Sequence, residues 1–118
     1  MTKLLAVTPI ILLLTACETI SPTENISNSK STFTCEDGGK VMTAYSNDGQ
    51  VANLNIRLPK IGLNNKNVTL NQAVSGSGAR YTNDSDPNMS YEWHTKSDYG
   101  IISISKKDGQ DYSVNCEL

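Results

Sequence analysis

From Thr32 onward the chain alternates apolar and polar positions with a period of two. "STFTCE" sets Phe33 and Cys35 on one face. "KVMTAYS" carries Val41, Thr43 and Tyr45 against Met42 and Ala44, and "VANLNIRL" carries Ala52, Leu54, Ile56 and Leu58 against Asn53, Asn55 and Arg57. "YEWHT" sets Tyr91 and Trp93 against Glu92 and His94. "YGIISISK" follows, and "DYSVNCE" puts Tyr112, Val114 and Cys116 on one side. Successive side chains of a strand point to opposite faces, so each run reads as a half-buried strand. Glycine, asparagine and aspartate punctuate the gaps, and Asp48-Gly49 and Asp108-Gly109 are hairpin signals. No window sustains a helical period. The pattern predicts an all-β meander of short antiparallel strands, whose unpaired edges a closed barrel removes.

Before residue 32 the pattern changes. Lys3 precedes an apolar run from Leu4 to Leu14, interrupted by Pro9. The run falls short of the roughly 20 residues a membrane span needs, and reads as a secretory signal. It ends in Leu14-Thr15-Ala16-Cys17, which resembles the lipobox of bacterial lipoproteins. That resemblance implies a signal peptide over residues 1–16 and a diacylglycerol on the Cys17 thiol, with a further acyl chain on the amine freed by cleavage. Several chains anchor firmly where one does not. Glu18 stands where an aspartate would imply retention at the inner membrane, so the expected location is the outer membrane, with the domain facing the periplasm. The polar stretch "ETISPTENISNSKS" reads as a flexible tether, giving an anchor-and-tether segment over 17–31 and one small domain over 32–118.

A domain this small often needs a staple. Of three cysteines, the lipidated Cys17 leaves Cys35 and Cys116, an even pair that in an exported protein reads as a disulfide. It closes nearly the whole domain and contributes on the order of 4 kcal/mol in the chain-entropy model. The formal net charge of −2 argues against nucleic acid as a partner.

Most familiar site chemistries fail on this chain. His94 is the only histidine, and with no spare cysteine a zinc site has too few ligands. "DSDPN" has calcium-loop spacing at Asp84, Asp86 and Asn88, but Met89 and Thr95 stand where glycine and glutamate are required; it reads as an exposed turn. "SGSGARY", residues 75–81, lacks the lysine and the strand-to-helix context of a phosphate loop. No cofactor is implied. Ser77 with Lys96 remains as a conceivable nucleophilic dyad.

"FTCEDGGKVMTAYSNDGQVANLNI", "SGSGARY", "YEWHTK" and the terminal "CEL" together resemble the membrane-bound inhibitors of c-type lysozyme. The resemblance covers nearly all of residues 32–118. It is sharpest in the serine–glycine loop through Ala79-Arg80-Tyr81 and in the segment from Trp93 to Lys96. It implies an eight-stranded antiparallel barrel and no enzymatic activity. It further implies that two loops enter the cleft of a c-type lysozyme, where a serine from one and a lysine from the other meet the two catalytic carboxylates. In this chain they are Ser77 and Lys96. Gly76 and Gly78 remove bulk and allow a tight, protruding bend, and Arg80 flanks the entry. Tyr81 and Trp93 are expected in the core. Two features depart from the family pattern: Ser97 where glycine follows the lysine, and a longer segment over residues 82–90. The competing readings are a non-enzymatic envelope lipoprotein that binds peptidoglycan or another protein, and a Ser77–Lys96 hydrolase.

Overall fold

The computed structural model describes residues 26–118. The expected signal peptide, Cys17 and the first part of the tether lie outside the described residues. Eight strands follow in order: β1 Ile26–Cys35, β2 Lys40–Ser46, β3 Val51–Leu58, β4 Leu63–Ala73, β5 Ala79–Asn83, β6 Met89–Lys96, β7 Tyr99–Lys106 and β8 Asp111–Glu117. Each pairs antiparallel with the next, and β1 pairs with β8, so the sheet closes into the expected barrel. The first strand begins at Ile26 rather than near Thr32, because residues 26–31 pair with the second half of β2, from Ser46 to Thr43. No helix among the described residues is long and apolar enough to cross a membrane.

Alternation decides what is inside. Val41, Ala52, Ile56, Leu58, Leu70, Trp93 and Ile102 are wholly buried. Phe33 meets the Trp93 indole edge-on, with ring centroids 5.0 Å apart and planes at 82°, an arrangement that aligns ring edge with ring face. The indole N–H donates to the Tyr45 hydroxyl at 3.0 Å. Gly100 lies directly under this indole; a Cβ there would fall 2.6 Å from Trp93 Cζ2. Trp93 and Tyr81 are core residues, as expected.

Two strands escaped the sequence pattern. In β4 only Leu63 and Leu70 are buried. Asn65 there adopts φ 55° beside a register shift between Ile56 and Leu58 of β3. An extra residue in a left-handed conformation, which asparagine tolerates, breaks the alternation. β5 is short and sends only Tyr81 fully inward.

The barrel closes on a narrow seam. The described β1–β8 register consists of Thr34 opposite Glu117 and Cys35 opposite Cys116. The expected disulfide lies here, joining cysteines 81 positions apart. Acidic side chains of the β1–β2 turn extend the closure: Asn115 N–H donates to Glu36 at 2.9 Å, and Tyr112 O–H donates to Asp37 at 2.8 Å.

Because every strand reverses, alternate turns gather at opposite ends. The β2–β3, β4–β5 and β6–β7 turns share one end, where Tyr81 O–H donates to Gly49 O at 2.8 Å and Leu118 N–H to Asp98 O at 3.0 Å. The "DSDPN" turn belongs to the other end, where Lys107 N–H donates to Asn88 O at 3.0 Å. Its own side chains shape it: Asp86 accepts from Asn88 N–H at 2.8 Å and from the Tyr91 hydroxyl at 3.3 Å.

Candidate functional site

The Ser77 loop, residues 74–78, joins β4 to β5, and the Lys96 hairpin joins β6 to β7. Register brings them together. β5 pairs with β6 so that Ala79 faces Thr95 and Arg80 faces His94; Gly78, one residue earlier, therefore falls against the start of the Lys96 turn. Its φ is 68°. A Cβ there would run into the Thr95 carbonyl oxygen and stand 3.1 Å from Lys96 Cβ. Only glycine allows both the conformation and the contact.

Gly76 differs. Its φ is not positive, and a Cβ there would meet nothing within 4 Å. The barrel makes no demand for glycine at this position, so any requirement for a small residue comes from outside the molecule.

Ser77 and Lys96 are both exposed. Among the described residues Lys96 makes no ion pair. They line a shallow cleft of about 290 Å³ with His94, Tyr99, Ile101 and Asn115. The surroundings are apolar for a protein surface: Val74, on the Ser77 loop, is 90% exposed, Tyr99 53% and Ile101 41%. Exposed apolar side chains gathered beside free polar groups are characteristic of an interaction surface rather than of plain solubility.

Arg80 is already engaged. Its Nε donates to Glu92 at 3.0 Å and its Nη1 to the Val74 carbonyl at 3.2 Å. It braces the base of the Ser77 loop against β6. His94, weighed in the sequence only as a metal ligand, turns out to lie beneath the same loop, its Nε2 3.0 Å from Ser77 O and 3.3 Å from Ser75 Oγ. Nothing in the linear sequence signals this, since it depends on which residue of β5 faces which residue of β6.

The two departures from the family pattern have structural outcomes. Ser97 adopts φ 55°, taking the left-handed conformation a glycine would take, and Lys96 remains paired with Tyr99 across a two-residue turn. Residues 84–88, the tip of the longer segment, lie at the far end of the barrel from Ser77 and Lys96, away from the cleft.

Comparison with known proteins finds no match among curated proteins and none among solved structures. The family model described as membrane-bound lysozyme-inhibitor of c-type lysozyme matches residues 33–111, a stretch that includes the end of β1, the whole of β2 to β7, the Ser77 loop and the Lys96 hairpin. The chain belongs to the family of membrane-bound inhibitors of c-type lysozyme.

Proposed function

We propose that this protein inhibits c-type lysozyme by inserting the Ser77 loop and the Lys96 hairpin into the enzyme's active cleft, and that it acts from the outer membrane, held by lipid on Cys17 and facing the periplasm. The observation that carries the reading is the packing of Gly78 against Thr95 and Lys96. It couples two loops from different parts of the chain into one projection, with an exposed hydroxyl and an exposed ammonium lining the same cleft.

The target's chemistry explains the pair. A retaining glycosidase, of which lysozyme is the handiest example, holds two carboxyl groups about 5–5.5 Å apart across the scissile bond. A plug for that slot must be narrow and must answer an ionised carboxylate. Lys96 brings a compact ammonium on a flexible stem, and Ser77 brings a hydroxyl that donates or accepts. Gly76 keeps the tip thin. Val74, Tyr99 and Ile101 supply apolar area to bury around the polar centre. Arg80 acts as a brace in this arrangement. The inhibitor needs no cofactor.

The test is inhibition of purified c-type lysozyme by a soluble domain beginning before Ile26, so that β1 is whole. Lys96→Ala is expected to weaken inhibition by a factor of tens to thousands, since losing one member of a buried charge pair costs about 2–5 kcal/mol. Lys106→Ala and Lys107→Ala, at the opposite end of the barrel, serve as charge controls and remain near wild type. A folded Lys96→Ala variant that inhibits as well as wild type refutes the insertion mechanism. Anchoring is tested separately: Cys17→Ala abolishes fatty-acid labelling and membrane fractionation, and equal labelling of both proteins refutes it.

A further inference from the structure

The Ser77 loop is held by side chains. Among the described residues, no backbone hydrogen bond outside the strands involves Val74 to Gly78. The carbonyl of Ser77 instead accepts from two side chains: Ser75 Oγ at 2.7 Å and His94 Nε2 at 3.0 Å. The same Nε2 lies 3.3 Å from Ser75 Oγ. A carbonyl oxygen only accepts, so Nε2 must carry a hydrogen. The Ser75 hydroxyl spends its proton on Ser77 O, so toward His94 it presents a lone pair. One assignment satisfies all three contacts: an Nε2–H shared between Ser77 O and Ser75 Oγ.

His94 is well placed for this. It is half-buried on the outer face of β6, between Trp93 in the core and Thr95 under Gly78, and it faces Arg80 across the β5–β6 ladder. Its rigid ring projects from a strand anchored by a wholly buried tryptophan.

We infer that His94 is a positioning residue for the Ser77 loop: its Nε2–H and the Ser75 hydroxyl fix the Ser77 carbonyl over β6, and thereby set where the Ser77 side chain points. It acts through Ser77 rather than on the target. The consequence for lysozyme rests on the proposed function; the consequence for the loop does not. A loop held in its bound shape avoids an ordering cost on association.

The experiment uses nuclear magnetic resonance on the free soluble domain, then inhibition assays. In the wild type, the ring proton resides on Nε2, and the amides of Gly76, Ser77 and Gly78 have order parameters near those of rigid backbone, about 0.85. In His94→Leu they fall toward about 0.6 or below, whereas His94→Gln, which keeps an N–H on a side chain of similar reach, restores much of the order. Ser75→Ala removes the other support without altering a strand, and it loosens the loop even if His94→Leu folds poorly. In the lysozyme assay His94→Leu weakens inhibition about three- to ten-fold, the worth of roughly one net hydrogen bond, and the loss disappears in a Ser77→Ala background. A proton on Nδ1, or a loop equally rigid in folded His94→Leu and Ser75→Ala, overturns the positioning role. A loop that loosens in a domain inactive against lysozyme supports that role and overturns the inhibitor reading instead.

Discussion

Ser97 offers a direct measure of how far the Lys96 turn is strained. It is the first residue of the two-residue turn between β6 and β7, and its φ of 55° lies in the left-handed region. For a residue with a Cβ this conformation costs roughly 1–2 kcal/mol. Replacing Ser97 with glycine removes that cost but raises the entropy of the unfolded chain, a loss of roughly 0.5–1 kcal/mol. At mid-range the balance favours Ser97→Gly by about 0.75 kcal/mol. In a domain of 60–100 residues one kcal/mol moves Tm by about 4–8 °C, so the expected rise is about 3–6 °C. Urea unfolding should show a higher midpoint with an unchanged slope, the sign of a change in stability alone.

Two further substitutions at the same position guard the argument. Ser97→Asn, whose short polar side chain tolerates the left-handed region, should lie between serine and glycine. Ser97→Val should lose stability, because a branched Cβ is a real outlier at positive φ. Since the Lys96–Tyr99 register is already established with serine in place, Ser97→Gly should leave lysozyme inhibition within about two-fold, well inside one kcal/mol. A midpoint that falls in Ser97→Gly, or rises in Ser97→Val, refutes the account of the turn as strained.

Three other outcomes follow from the structure. Breaking the Cys35–Cys116 bridge with Cys35→Ala/Cys116→Ala should cost about 4.5 kcal/mol by the loop-closure relation for a bridge of this span, read as a large drop in the urea midpoint; an unchanged midpoint would mean the narrow β1–β8 seam closes without it. Gly76→Leu should hold its Tm yet weaken inhibition at least ten-fold, whereas Gly78→Ala should lose about 1–3 kcal/mol of stability, the usual cost of forcing bulk into a packed contact; the reverse ranking would contradict the assignment of one glycine to the partner and the other to the barrel. Burial and the neighbouring Asp86 push the Tyr91 hydroxyl up to about 12. A raised value favours the neutral form in the folded state, so the stability linked to Tyr91 is complete below about pH 10 and is lost as pH rises toward 12. Tyr91→Phe should flatten that part of the alkaline unfolding curve; an identical curve in the variant would refute the linkage.

Six of the eight strands were legible because each buries one face, and burying one face imposes a period of two. β4 hides because four asparagines and a left-handed Asn65 interrupt the pattern, and β5 because a five-residue strand with one fully buried residue carries almost no period. The disulfide followed from counting cysteines. Residue chemistry alone offered Ser77 and Lys96 only as a conceivable dyad, and their reading as a lysozyme-binding pair came through family resemblance; their separation along the chain says nothing about their meeting. That meeting depends on the β5–β6 register, which an alternating pattern cannot supply, since it specifies faces and leaves the partner residue open. The same register hides the loop's supports. Arg80, read as flanking the entry, also spends two of its donors on Glu92 and Val74, and His94 looked like an isolated histidine, yet it lies against the Ser77 carbonyl.

The adjacency of Ser77 and Lys96 is also what a Ser–Lys hydrolase would need, so the geometry must discriminate between a plug and a nucleophile. A lysine acting as base is held neutral by burial in an apolar site. Lys96 is exposed, which suits an ammonium waiting to be desolvated by a partner. If both groups meet one pair of carboxylates, their contributions to inhibition are coupled. Ser77→Ala alone should cost about 1–3 kcal/mol, less than Lys96→Ala, because a neutral hydroxyl leaves a smaller deficit. Once Lys96 is gone the local grip on the carboxylates loosens, and the further loss from Ser77→Ala should shrink. A double-mutant cycle on the lysozyme inhibition constant should therefore return an interaction energy of about 0.5–3 kcal/mol, the range for residues that share partners. Losses that add to within about 0.5 kcal/mol, the behaviour of independent sites, would place Ser77 and Lys96 on separate parts of the target and refute their sharing one pair of carboxylates.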